Sequence, residues 1–226
     1  MMKIVDAQDL YKIYDNGQIS FEALKGVSLQ IEATDFIVLV GPSGSGKTTL
    51  LNLIGCLDQP TQGKIILNGK SLERLSQAQL AMERNLNLGF IFQSFNLISV
   101  LNALENVEFP LFIRKMNHEE RRRKAKLWLE AVGLSEFGNH HPNQLSGGQQ
   151  QRVAIARALV GEPKLVLADE PTANLDSKTG ESIVKLMKQL NQENGVTFLL
   201  STHDERIIRF ATKVVHLSDG KILGTI

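Results

Sequence analysis

An unbroken apolar run, FIVLV at Phe36–Val40, leads straight into GPSGSGKT at 41–48. Leu50, Leu51, Leu53 and Ile54 follow at helical spacing. Strand, glycine-rich loop and helix in that order leave few alternatives for the surrounding fold. Gly41, Gly46, Lys47 and Thr48 satisfy G-x-x-x-x-G-K-[ST]. The small residues Gly41, Pro42, Ser43, Gly44, Ser45 and Gly46 let backbone N–H groups curl around phosphate oxygens, and the helix start adds positive potential. Lys47 can neutralise charge on the β- and γ-phosphates. The Thr48 hydroxyl, next to Thr49, can ligate Mg²⁺. A tight structural turn is the bland alternative, but it gives the lysine no work. A nucleoside triphosphate site is expected.

Two further stretches fit the same site. LVLADE ends an apolar run in Asp169, where a carboxylate can reach the Mg²⁺ shell, and Glu170 follows at once. A second acid at a strand end reads as a general base for an attacking water, against the alternative of a solvated loop acid. LLSTHD puts His203 at the end of another buried strand, able to contact the γ-phosphate or hold the water. His118, His140, His141 and His216 lack metal-ligand company, and the 140–141 pair reads as loop.

Composition narrows the partners. The chain has 226 residues, 42% hydrophobic, which suits one medium domain with an inserted lobe. Aromatics are only 6%, so any exposed aromatic needs a reason. Lys plus Arg number 25 against 24 Asp plus Glu, a balance that gives no global attraction to nucleic acid or anionic lipid. Cys56, the single cysteine, excludes an internal disulfide, fits a reducing compartment and reads as a buried structural thiol. MMKIVDAQDL is no signal peptide, and no apolar run approaches a membrane span. A cytoplasmic chain is expected, peripheral on the membrane only through a partner.

Residues 3–40 contain β-like runs (KIVDAQDLYKIY, VSLQI, FIVLV) separated by turns at DNG and ATD, an antiparallel lobe leading into a buried strand. A helical pattern covers 47–57, and GKIILNGK reads as strand plus turn. From Gln93 to Gly161 the character is helical. NHEERRRKAKLWLEAVGL presents Ala125, Leu127, Leu129 and Val132 as its apolar side, with Glu119–Arg123 and Glu120–Lys124 as i,i+4 pairs. Those pairs make the basic run a solvated helix face in preference to a nucleic-acid patch. Buried strands alternating with helices then predict a mainly parallel sheet covered on both faces. The expected organisation is one α/β domain over 1–226: a core of 1–92 and 162–226 with the antiparallel lobe, and a helical subdomain at 93–161.

A second glycine stretch, LSGGQQQR, looks like another phosphate cradle. Ser146 and Gln149 form an S-x-x-Q capping box, while Gly147 and Gly148 keep the first helical turn bare. It lacks a lysine and metal-binding acids, so it is half a site or an ordinary cap.

Together these parts resemble the nucleotide-binding subunit of ATP-binding-cassette (ABC) transporters over nearly the whole chain. That family is a P-loop NTPase with a RecA-like sheet core. GPSGSGKT resembles its Walker A loop, FQSFNL the Q-loop through Gln93, and LSGGQ the signature. LVLAD with Glu170 resembles Walker B, NLD ending at Asp176 the D-loop, and His203 the switch histidine. The resemblance implies an Mg²⁺-dependent ATPase in which Gln93 senses the γ-phosphate or Mg²⁺. It also implies that two copies pack head to tail, Ser146, Gly147, Gly148 and Gln149 of one covering ATP held by the other. Tyr14 matches the aromatic that stacks on adenine, with Tyr11 the competitor. The D-loop reads ANLD where many relatives have Ser-Ala-Leu-Asp.

IGCLDQPTQGKI, FIFQSFNLISVLNALENVEFPL and NQLSGGQQQRVAIARAL bring the chain closer to the stand-alone ATPases of the lipoprotein-releasing and macrolide-export branch. Ending at Ile226 without a fused membrane segment, it is expected to serve a separate permease. Phe95 to Leu101 reads equally as a permease dock or as core. A mechanotransmission ATPase of the cell-division type shares every motif and stays open. An ABC ATPase acting on nucleic acid usually carries two cassettes or basic insertions, which this chain lacks.

Overall fold

The computed structural model describes residues 2–15, 17 and 19–225. In chain order come β1 (Lys3–Asp15), β2 (Ser20–Glu32), β3 (Phe36–Val40), α1 (Lys47–Ile54), β4 (Gln62–Leu67), β5 (Lys70–Ser71), α2 (Gln77–Asn87) and β6 (Leu88–Phe92). Three helices follow: α3 (Ala103–Ile113), α4 (His118–Ala131) and α5 (Gly147–Leu159). Then come β7 (Leu165–Asp169), α6 (Ser177–Asn194), β8 (Thr197–Thr202), β9 (Lys213–Ser218) and β10 (Lys221–Thr225). One sheet has the order β10-β9-β3-β8-β7-β6, parallel except at the β10 edge. The other, β2-β1-β4-β5, is antiparallel. The DNG turn expected between β1 and β2 includes residue 16, outside the described residues.

The parallel strands lack alternation because both faces are covered. All of β3 is buried. Phe36, Val38 and Val40 share one core with Val107, Leu129, Val153 and Ile183 of the helices. Ile37 and Leu39 point the other way, onto Leu50 and Leu53 of α1 and onto Val5, Leu24 and Ile65 of the antiparallel sheet. Helix α1 is thus pinned between the two sheets, with its first turn at the C-terminal ends of β3, β7 and β8. That is where ligands sit in parallel α/β folds.

The structure corrects several expectations. Helix α1 ends at Ile54, three residues short of the expected span, because Cys56 turns left-handed at φ 55. In α4, Ala125, Leu129 and Val132 are buried, but Leu127 is 52% exposed. Two residues from Ala125 is about 200° around a helix, so Leu127 faces away. The expected i,i+4 pairs do not form among the described residues. Arg121 and Arg122 reach Glu108 of α3, and Lys124 reaches Glu162. The basic run therefore staples its helix to neighbouring elements and is not simply solvated. Helix α2 and strand β6 were not anticipated. Phe95 to Leu101, expected equally as dock or core, divides: Leu97 packs against the core, while Val100 is 78% exposed. No described helix is long and apolar enough to cross a membrane.

Cys56 is buried, and that burial pushes its thiol up to about 11. The native protein is expected to leave a thiol reagent unreacted at pH 8, and to consume one equivalent only after denaturation. Prompt native labelling would contradict the burial of Cys56.

Candidate nucleotide site

The loop between β3 and α1 is built around Gly46, the helix N-cap, at φ 104. A side chain there is disfavoured twice: by that backbone conformation, and by an Ala23 carbonyl oxygen 2.7 Å from where its Cβ would sit. No side chain caps this helix start, so its orphan N–H groups face the loop's concavity. Lys47 is 7% exposed. Its Nζ donates to the carbonyl oxygens of Gly41 (2.7 Å) and Pro42 (3.0 Å) and lies 3.9 Å from Glu170 Oε1. The cation is held over the loop by weak carbonyl partners that phosphate oxygens can replace.

The end of β7 supplies both acids, and the end of β8 their partners. The parallel register sets Asp169 beside Ser201. Asp169 Oδ1 accepts from Thr48 Oγ1 at 3.2 Å and from Ser201 Oγ at 2.5 Å. A hydroxyl and a carboxylate meeting at the start of α1 are hard oxygen donors of the kind Mg²⁺ takes. Glu170, just past the strand, is left-handed at φ 47. Its Oε2 lies 3.0 Å from Nδ1 of the exposed His203. Gln93, just after β6, donates through Nε2 to Asn174 Oδ1 at 3.4 Å, and Asn174 Nδ2 donates back to the Gln93 carbonyl at 3.1 Å. Lys47, Thr48, Thr49, Gln93, Glu170 and His203 all line one open cleft of about 670 Å³, together with Ser43, Gly44, Phe21 and Ala23.

Other expected residues lie elsewhere. Ser146 caps α5 as anticipated: its Oγ accepts from Gln149 N at 3.3 Å, and its N–H donates to Gln149 Oε1 at 2.8 Å. This helix start does not line the cleft around Lys47. Asp176 has a structural task, accepting from the N–H groups of Lys178 and Thr179 to cap α6. Tyr14 does not line the cleft. Its hydroxyl donates to Asp58 Oδ2 at 3.1 Å, and Lys12 Nζ sits 4.9 Å over its ring. Burial, and next the Asp58 carboxylate, raise the Tyr14 phenol above its usual value. Tyr11 packs its hydroxyl against Gly26.

Sequence reasoning missed three residues. Phe21, the cross-strand partner of Tyr14, is 57% exposed at the cleft. An exposed aromatic in an aromatic-poor chain was the signal for it. Ser201 and Asn174 carry the bonds to Asp169 and Gln93, and a hydroxyl inside the apolar run LLSTHD was the signal for Ser201.

The signature glycines have a packing reason too. A Cβ on Gly148 would stand 2.6 Å from Thr179 Cγ2. Gly148→Ala is expected to lower stability by about 1–3 kcal/mol, as overpacked sites do. Adding Thr179→Ser, which deletes that methyl, is expected to restore most of the loss in a thermal melt. No rescue would mean that the glycine is not required by this contact.

Residues 24–173 match the ABC transporter family profile. The chain is 49% identical to an ABC transporter ATP-binding protein of Thermotoga maritima, over 99% of this chain and 95% of that one. It is 46% identical to the lipoprotein-releasing system ATP-binding protein of Acinetobacter baylyi, with 97% of each covered. A solved dimeric ATP-binding cassette of Methanocaldococcus jannaschii, bound to ADP and Pi, superposes with a TM-score of 0.90 at 47% identity, over 98% of this chain and 97% of that one. With an uncapped helix start, Lys47 and Glu170 lining one cleft and Asp169 bonded to Thr48 of that cleft, the chain belongs to the ABC transporter family, as an ATP-binding, ATP-hydrolysing subunit.

Proposed function

We propose that two copies of this chain sandwich ATP head to tail and drive a separate membrane permease of the lipoprotein-releasing or macrolide-export type. The observation that carries the two-copy reading is the separation of two helix starts. The first turn of α1 lies in the cleft with Lys47, Glu170 and His203, while the bare first turn of α5 lies outside it. An N-terminal turn of two glycines is suited to cover a phosphate, and a second copy can bring it to the cleft.

In this reading Lys47 exchanges its loop carbonyls for β- and γ-phosphate oxygens. Thr48 and Asp169 would hold Mg²⁺, with Gln93 beside them, and the ion would neutralise phosphate charge. Glu170 orients the attacking water and takes its proton on a carboxylate oxygen. His203 holds Glu170 from the open side and faces the γ-phosphate. Phe21, which lines the cleft beside its cross-strand partner Tyr14, offers aromatic surface toward the base. Gln93 can offer its Oε1 to a metal while Nε2 keeps Asn174, so nucleotide binding would be felt by the segment after it.

That segment supports the permease reading. Asn96 and Ile98 line a groove of about 540 Å³ with Phe92, Phe109 and Ile113, an apolar seat for a membrane partner's cytoplasmic segment. The branch assignment rests on likeness to the Acinetobacter baylyi protein. A macrolide export ATP-binding/permease protein of Syntrophobacter fumaroxidans is also 45% identical over 98% of this chain, which corresponds to 31% of that protein. Light scattering with a non-hydrolysable ATP analogue is expected to show the mass doubling. A monomer at saturating analogue would count against the sandwich. Capture of a permease with a large extracytoplasmic domain would support the branch, and capture of any other class of transporter would overturn it.

A further inference from the structure

We infer that Ser201 is a positioning residue for both acids of the site, a reading that rests on the roles proposed above for Asp169 and Glu170. Ser201 lies in β8 and is 0% exposed, following the fully buried Phe198, Leu199 and Leu200. A β-branched aliphatic residue fills such a position without polar cost, whereas a buried hydroxyl must find partners. Ser201 finds one partner on each acid. Its Oγ donates to Asp169 Oδ1 at 2.5 Å, and the same oxygen accepts from the Glu170 N–H at 3.1 Å.

The two bonds have different consequences. Thr48 Oγ1 also donates to Asp169 Oδ1, so two hydroxyls converge on one carboxylate oxygen. Among the described residues Oδ2 makes no hydrogen bond, which leaves it as the oxygen presented to a metal shell. Glu170 at φ 47 sits where a glutamate stays only if its surroundings hold it. Its N–H is held by Ser201 through both Oγ and the backbone carbonyl at 3.2 Å. One serine therefore fixes the rotation of the metal acid and the backbone of the next acid. Removing the hydroxyl keeps the carbonyl bond, so Ser201→Ala is expected to fold and to lose mainly the orientation of Asp169.

The test uses the full chain as Ser201→Ala, Ser201→Thr and Asp169→Asn, each with a thermal melt. Mn²⁺ affinity of the ADP complex is read by electron paramagnetic resonance, and kcat with half-saturating Mg²⁺ is read in ATP hydrolysis. Ser201→Ala is expected to weaken Mn²⁺ binding and raise half-saturating Mg²⁺ by roughly 10-fold, as loss of a ligand's supporting hydrogen bond does. ATP binding in chelator should not change, and Ser201→Thr should recover most of the metal response. Unchanged Mn²⁺ affinity in Ser201→Ala, with Asp169→Asn weakened, would overturn the role of Ser201 alone. Unchanged affinity in Asp169→Asn as well would overturn the proposed metal site itself. A Ser201→Thr protein that melts like wild type yet stays weak for Mn²⁺ would also overturn the inference.

Discussion

Glu170→Gln is expected to hold ATP and fail to turn it over, with hydrolysis down by about 100-fold or more, the usual worth of a general base. The amide keeps the size of the carboxylate, and the backbone contacts to Ser201 do not involve the side chain. The loop geometry should therefore survive. The substitution removes a proton acceptor and a negative charge that stands 3.9 Å from Lys47. Losing that charge beside the γ-phosphate should strengthen ATP binding. The variant should then accumulate as an ATP-bound dimer on size exclusion. Phosphate release at the wild-type rate would remove Glu170 from the chemistry.

The second large effect is expected from Ser146→Arg. Ser146 caps α5, and losing a cap costs about 1 kcal/mol, which a domain of this size tolerates. The arginine puts a bulky cation at the positive end of the helix, where a phosphate-facing surface must stay open. Because Ser146 does not line the cleft of its own chain, ATP binding by the monomer should be unchanged. Hydrolysis should fall at least ~100-fold, the scale seen when a donor to a reacting anion is removed. Loss of monomer binding as well would place Ser146 in the same site as Lys47 and end the two-copy reading.

What the sequence revealed follows from which signals are local. β3, the glycine loop and α1 are specified by a contiguous pattern whose residues need each other. Asp169, Glu170 and His203 stand at the ends of apolar runs, and parallel topology collects such ends on one edge. Helix α2 escaped because Leu80 is its sole buried apolar residue, while Met82 and Leu86 face outward. β6 escaped because five residues, LGFIF, do not distinguish a strand from a helix turn. Phe21, Ser201 and Asn174 depend on strand register or on contact between distant loops, neither of which is written in spacing. The α4 ion pairs went wrong for a related reason: i,i+4 geometry permits a pair, but Glu162 offered Lys124 a better-placed partner.

The central claim is that one copy's Lys47 works with another copy's Ser146. Lys47→Ala and Ser146→Arg proteins are each expected to be inactive, since every site in either dimer carries a defect. In a mixed dimer one site receives both intact residues and the other receives both defects. Mixing the two proteins in equal amounts should therefore restore hydrolysis toward about a quarter of the wild-type rate, from one good site in half of the dimers. A mixture no more active than the sum of its separate components would contradict the shared site.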